Sequence, residues 1–328
     1  MSPRYAPLRI GTRSSALALW QTERVRTLLA SGGHRTERIE IKTTGDLTPD
    51  VPLARIGSRA LFTKQIDDAL LECRIDLAVH SLKDLPTQLP EGITVAAVSV
   101  REDPRDALVG RGPLHWRDLP PGATIATSSL RRRAQLLSAR GDLRVVDIRG
   151  NVDTRLAKLD AREDWNAIVL AAAGLIRLGA AGRIGERLPP EIMLPAPGQG
   201  ALAVTARTAD AELHGLIRRA VHDPETSVSV AAERAFLRRL EGGCQVPIAA
   251  YARRHRHGSG PTMLRLDGRV IALSGRSVAE GTEEAVFQDD EAHASDMGTM
   301  LAERLLENGA AAILSEVRAG AAPVVTEP

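Results

Sequence analysis

The chain has 328 residues, 43% of them hydrophobic, 26% charged and only 2% aromatic, with a formal charge of +2. The length implies two or three domains, and the balance excludes a largely disordered chain. Near-neutral charge removes any general electrostatic case for nucleic acid, and no apolar run reaches the length of a membrane span, so the expected partner is a small molecule.

Leu8-Arg9-Ile10-Gly11 reads as a short strand ending in Thr12-Arg13-Ser14-Ser15, where Ser14 or Ser15 caps a helix carrying Leu17, Trp20, Val25 and Leu28. A second strand covers 39–43. Apolar spacing predicts a helix around 62–73, with Cys73 on its apolar face. The strand 75–79 then leads into Ser81-Leu82-Lys83-Asp84. Strand, helix, strand in this order implies right-handed crossovers and a parallel sheet. After a strand at 94–100, the charged run Arg101-Glu102-Asp103-Pro104-Arg105 marks a boundary.

A second α/β unit follows, with strands at 124–127, 145–148 and 167–171. Its helices open at Ser128-Ser129-Leu130-Arg131-Arg132-Arg133 and after Arg149-Gly150-Asn151. Four prolines between 189 and 197, and then Gly198-Gln199-Gly200, punctuate the chain before a strand at 201–205. From about residue 222 the pattern changes to a helix at 226–240, strands, and a helix at 292–306. The expected domains are residues 1–100 with 200–220 as one α/β lobe, 101–199 as a second, and 221–328 as a smaller α+β domain.

Ligands of open α/β sheets bind beyond the carboxyl ends of the strands. Here those ends carry Thr12-Arg13-Ser14-Ser15, Ser81-Leu82-Lys83-Asp84, Thr127-Ser128-Ser129-Leu130-Arg131-Arg132 and Arg149-Gly150-Asn151. Each has a plain structural explanation. Ser-Ser before a helix is a cap, the triple arginine is a solvated helix face, and Lys83-Asp84 is a surface ion pair. Recurrence on successive strand ends of two units points instead to a cleft for a ligand with several carboxylates or phosphates. Only four of the 43 basic residues are lysine, and arginine grips carboxylates in a fork that lysine cannot form, although base composition also explains the bias.

His80 reads as a structural histidine, since no nucleophile elbow accompanies it. The histidines and cysteines have no metal-ligand spacing, and no Walker loop or dinucleotide fingerprint is present. His255-Arg256-His257 falls in an arginine-rich loop expected at 253–261. Cys244 lies in Leu240-Glu241-Gly242-Gly243-Cys244-Gln245-Val246-Pro247, a glycine loop where a thiol has little to pack against. That setting suggests a nucleophile or an attachment point. Two cysteines far apart fit a reducing, cytoplasmic compartment, and Met1 to Pro7 has no secretory character. Nothing in the sequence demands more than a monomer.

Together these segments resemble the porphobilinogen deaminase (hydroxymethylbilane synthase) family, from Leu8 to about Glu316. The likeness is carried by Ile10-Gly11-Thr12-Arg13-Ser14-Ser15, Thr43-Thr44-Gly45-Asp46, His80-Ser81-Leu82-Lys83-Asp84-Leu85-Pro86 and Arg101-Glu102-Asp103-Pro104-Arg105-Asp106. It continues through Thr127-Ser128-Ser129-Leu130-Arg131-Arg132, Arg149-Gly150-Asn151-Val152, Ala173-Gly174-Leu175, Pro197-Gly198-Gln199-Gly200-Ala201 and the Cys244 run. The resemblance implies two lobes of a type II periplasmic-binding-protein fold and a third, cysteine-bearing domain. It implies a transferase of tetrapyrrole and heme biosynthesis that joins four porphobilinogens head to tail, each losing ammonia. They are added to a dipyrromethane primer held in thioether linkage by Cys244, and hydrolysis releases hydroxymethylbilane.

By the same resemblance Asp84 is the catalytic carboxylate. Ser81, Lys83, Asp84, Thr127, Ser129, Arg131 and Arg132 would hold the cofactor, and Arg13, Ser15, Arg149, Arg155 and Arg177 the substrate. Gly57-Ser58-Arg59 stands where the family commonly has Gly-Gly-Lys, which makes Arg59 a less secure loop contact. Two rival readings are a non-catalytic two-lobed carboxylate-binding protein and a thiol enzyme acting through free Cys244 with a histidine base.

Overall fold

The computed structural model describes residues 7–43, 63–241, 246–256 and 258–321. Its strands in chain order are β1 (Leu8–Thr12), β2 (Thr36–Glu40), β3 (Leu77–Ser81), β4 (Ile93–Val98), β5 (Asp106–Val109), β6 (Thr124–Ala126) and β7 (Arg144–Val146). They continue as β8 (Ala167–Ala171), β9 (Glu186–Arg187), β10 (Leu202–Arg207), β11 (Ile248–Arg256), β12 (Thr262–Ile271) and β13 (Val278–Val286).

Two five-stranded sheets share one plan, β2-β1-β3-β10-β4 and β7-β6-β8-β5-β9. In each, the first three strands run parallel, as the strand–helix–strand order predicts. Each sheet also takes one strand in the opposite direction. β10 lies antiparallel between β3 and β4, and β5 lies antiparallel between β8 and β9. Both are strands that arrive from the other lobe, so the crossover, not a helical connection within the lobe, sets their direction. With the smaller antiparallel sheet β11-β12-β13, this gives two α/β lobes of one plan and a C-terminal α+β domain, as expected.

Serine caps open the helices that face the strand ends. Ser15 Oγ accepts from Ala18 N at 3.3 Å and starts the helix Ala16–Ser31, and Ser129 Oγ accepts from Arg132 N at 3.4 Å and starts Leu130–Ala139. The expected helix around 62–73 spans Lys64–Leu71, and Cys73 is not on its apolar face. Cys73 N bonds Leu70 O and Arg74 N bonds Ala69 O, a Schellman ending that puts Cys73 at positive φ (57°) with its thiol exposed. The supposed loop at 253–261 is another correction. Arg253 to Arg256 continue β11, paired with β12 through Arg256↔Thr262, so His255 is a strand residue, and His257 lies outside the described residues.

The chain crosses between lobes twice, after β4 and before β10, and the two crossings lie side by side. Glu102 N donates to Gly200 O at 3.1 Å and Ser99 N to Leu202 O at 3.0 Å. A Cβ on Gly200 would sit 2.3 Å from Glu102 O, and its φ of +92° also favours glycine.

Helix Pro224–Arg239 of the third domain fastens both crossings through one carboxylate. Glu233 Oε1 and Oε2 accept from Arg101 at 2.7 and 3.1 Å, Oε2 accepts from Gly198 N at 2.7 Å, and Oε1 accepts from Ala252 N at 2.8 Å. Glu233 is fully buried, and Arg101 Nε reaches Gln199 O at 2.9 Å. From the same helix, Arg234 donates to Pro86 O at 2.7 Å and so backs the turn that carries Lys83 and Asp84. Truncating one partner of a buried, fully hydrogen-bonded pair strands the other, at a cost of about 3–5 kcal/mol. Glu233→Ala is therefore expected to lower the thermal unfolding midpoint sharply, and an unchanged midpoint in a calorimetric scan would show that Arg101 does not depend on it.

Candidate functional site

β3 ends at Ser81, and a single 3₁₀ turn, Leu82–Asp84, carries Lys83 and Asp84 past the strand end. Leu82 is buried beneath the turn and Asp84 is exposed. Ser81 Oγ accepts from Gln21 Nε2 at 2.7 Å, which orients the hydroxyl from the neighbouring helix. Lys83 Nζ donates to Gln199 Oε1 at 3.2 Å. Burial pushes the Lys83 ammonium down to about 8; Asp84 opposes the shift, Arg132 adds to it, and Asp106 and Arg131 act more weakly in the same two senses.

In the second lobe the hydroxyls have local duties. Thr127 Oγ1 accepts from Ser129 N at 3.2 Å, and Ser129 is the helix cap. Among the described contacts both act only as acceptors, which leaves each O–H free to donate to an anion. Ser128 joins two strand ends, donating to Ile148 O at 2.5 Å and accepting from Ile148 N at 3.1 Å.

Arg131 and Arg132 are not a solvated face. Both are buried on the fully buried carboxylate of Asp106, with Arg131 Nη1 to Oδ2 at 2.7 Å and Arg132 Nε and Nη2 to Oδ1 at 3.0 and 2.7 Å. The two guanidiniums hold Asp106 far below the usual carboxylate range despite its burial.

Arg155 is half-buried, with Nε on Gly150 O at 2.8 Å. Its pKa is lowered to about 10, mostly by burial, with Arg132 and Arg149 contributing and Asp84 opposing them. Asp84 of one lobe and Arg155 of the other thus act on each other across the cleft, with Lys83, Arg132 and Arg149 in the same field. Arg177 stands apart at the crossover, donating to Gly200 O at 2.5 Å with its guanidinium 5.6 Å from the Trp20 ring centre. Arg13 follows β1, and its charge together with burial keeps His80 neutral down to about 4; burial is the larger cause. His80 Nε2 faces Thr205 Oγ1 at 3.2 Å, in keeping with a structural role. Cys244 and Arg59 lie outside the described residues.

Three participants escaped sequence reasoning. Gln21 lay on an ordinary amphipathic helix, Asp106 looked like the tail of a charged boundary, and Gln199 looked like a turn. Asp106 and Gln199 stood in the motifs that carry the family resemblance but without a role, and Gln21 gave no signal beyond its helix. The assembled site is a cleft with more cations than carboxylates, suited to an elongated polycarboxylate. Among the described residues no His/Cys/Asp/Glu group could hold a metal, and no helix is long and apolar enough to cross a membrane.

Comparison with known proteins agrees with that chemistry. Residues 8–215 match the family model "Porphobilinogen deaminase, dipyromethane cofactor binding domain", and residues 228–307 match "Porphobilinogen deaminase, C-terminal domain". Curated relatives called porphobilinogen deaminase include one from Geobacter metallireducens, 49% identical over 313 residues and covering 94% of each chain. Another, from Desulforudis audaxviator, is 50% identical over 314 residues, covering 95% of this chain and 98% of the relative. Likeness to solved structures is distant. A methionine-bound nutrient binding protein from Burkholderia cenocepacia is 16% identical with a TM-score of 0.42, covering 67% of this chain and 93% of its own.

Proposed function

The chain belongs to the porphobilinogen deaminase family of tetrapyrrole biosynthesis, and on that premise we propose how its own residues bind and turn over porphobilinogen. The family's cofactor is a dipyrromethane, whose pyrroles carry acetate and propionate groups. The residues present fit it. Lys83 and Arg155 are both held below their ordinary pKa by burial, with Arg132 adding to each shift, a field that bound carboxylates would relieve. Ser81, Lys83, Thr127, Ser129, Arg131 and Arg132 would hold those carboxylates, and Cys244 would carry the thioether. When bound, the group supplies the pyrrole carbon to which porphobilinogen units are joined head to tail.

Arg13, Ser15, Arg149, Arg155 and Arg177 are the proposed grips on the acetate and propionate of the incoming porphobilinogen. Arginine forks fix such groups in two directions at once, which aligns the reacting carbons. Asp84 has the opposite charge to its neighbours and faces open space. Its carboxylate would hold the pyrrole N–H of the substrate and stabilise the positive charge that develops on the ring and its methylene carbon as the amino group of the aminomethyl substituent leaves as ammonia. That exposed carboxylate among Lys83, Arg132 and Arg155, the cations of both lobes that share its field, is the observation that carries the reading.

Asp84→Asn is expected to retain the mass of two pyrrole units while turnover falls on the order of 10²–10⁴-fold. Cys244→Ser is expected to fold without that added mass. Wild-type rates in the first variant, or an unchanged intact mass in the second, would remove the residue concerned from the mechanism.

The lowered Lys83 pKa gives a pH dependence with a definite sign. In chains that have yet to take up the dipyrromethane the ammonium loses its proton as pH rises through about 8, so uptake of the cofactor should weaken above that pH. Lys83→Arg should abolish the weakening, and a weakening of the same size in that variant would assign it to another group. Cytoplasmic location and a monomeric state belong to the same proposal, supported by an exposed Cys73 thiol that suits a reducing compartment. Light scattering should give the mass of one 35.1 kDa chain, and a doubled mass would reject the monomer.

A further inference from the structure

Asp106 is the first residue of β5, where the outgoing crossover enters the second lobe, and it is fully buried. Its two carboxylate oxygens accept from three side chains. Oδ2 takes Arg131 Nη1 at 2.7 Å, while Oδ1 takes Arg132 Nη2 at 2.7 Å, Arg132 Nε at 3.0 Å and Gln199 Nε2 at 2.9 Å. Gln199, also fully buried, spends its second amide hydrogen on Pro104 O at 2.7 Å and accepts Lys83 Nζ on Oε1 at 3.2 Å. Both Nε2 partners are acceptors and the Oε1 partner is a donor, so only one amide orientation satisfies all three.

We propose that Asp106 is a positioning residue of the site. One buried anion aims Arg131 and Arg132 of the second lobe directly and Lys83 of the first lobe through Gln199. The proposal rests on the reading above in which those three cations hold pyrrole carboxylates.

Donor counting separates this role from mere charge balance in a core. Arg131 Nη1 gives its other hydrogen to Leu194 O at 2.6 Å, and Arg132 Nη1 gives one to Val169 O at 2.9 Å. Arg131 therefore keeps its Nε and Nη2 hydrogens, and Arg132 keeps one on each Nη, with no described protein acceptor. Each guanidinium plane is pinned on one edge and presents donors on the rest. One anion against three cations leaves a positive surplus that ligand carboxylates would complete. Because the chain Lys83–Gln199–Asp106 passes through both crossings, the relative position of the lobes and the aim of the cations are set together.

The test uses full-length enzyme and reads three quantities: the fraction of chains carrying the dipyrromethane mass, kcat and KM per loaded chain, and the thermal midpoint. In Asp106→Asn the loaded fraction should fall severalfold, and kcat per loaded chain should fall at least tenfold. A lowered midpoint with loading and per-chain kinetics unchanged would reduce Asp106 to a structural residue and overturn the proposal. Gln199→Met cuts the link to Lys83 together with Gln199's own bonds to Asp106 and Pro104, leaves both arginines on Asp106, and decides the matter if Asp106→Asn does not fold. The weakening of cofactor uptake near pH 8 should shift or vanish in Gln199→Met while loading below that pH stays normal, and an unmoved pH profile counts against the proposal. Arg132→Met distinguishes the premise. If that variant loads and turns over normally, the carboxylate-holding reading has failed, whatever Asp106 does.

Discussion

The structure depends on carboxylates buried where the chain passes between lobes. Glu233 and Asp106 are both fully buried, both carry arginine partners, and each satisfies backbone or amide donors from segments remote in sequence. In a low-dielectric setting an unpaired charge costs several kcal/mol, so such groups persist only when every partner is in place. Glu233 ties the third domain to both crossings, and Asp106 ties the second lobe to the returning one. Glu233 cannot be satisfied by the third domain alone, which makes the seating of that domain on the crossings a condition of its pairing.

The same device shapes the cleft. Arginines facing open water would be highly solvated and loosely aimed, and holding a long side chain still costs rotamer entropy. Burial against Asp106 removes that freedom in advance and leaves the remaining N–H groups without a described protein acceptor. Lys83 and Arg155 then lie in a field that disfavours their charged forms until anions arrive, while Asp84 opposes that field from the exposed end of its turn. A polyanionic substrate with a reacting centre that becomes cationic needs that separation, with cations along the walls and a carboxylate at the point of reaction.

Much of the site was legible because its residues sit in short local motifs at strand ends. Ser15 and Ser129 cap helices as their spacing predicts, and Lys83–Asp84 follows a buried strand. What misled was direction. The plain alternative for Arg131 and Arg132, a solvated helix surface, fails because the helix turns them onto a carboxylate 25 and 26 residues away, which no local pattern announces. Cys73 kept helical spacing past the point where a Schellman ending had already reversed the chain. Likewise, a run of strands and helices implied a parallel sheet, because nothing local reveals that β10 is fed from the other lobe.

The amino-acid order by itself determined the caps, the buried strands and the sequence of polar groups at their ends, since these follow from contacts within a few residues. Only tertiary structure decided which strand enters which sheet, which way the arginines face, and that Gln199 joins Lys83 to Asp106. Those outcomes depend on polar and charged groups from 25 to more than a hundred residues apart becoming neighbours, and only the assembled fold can decide which of them meet.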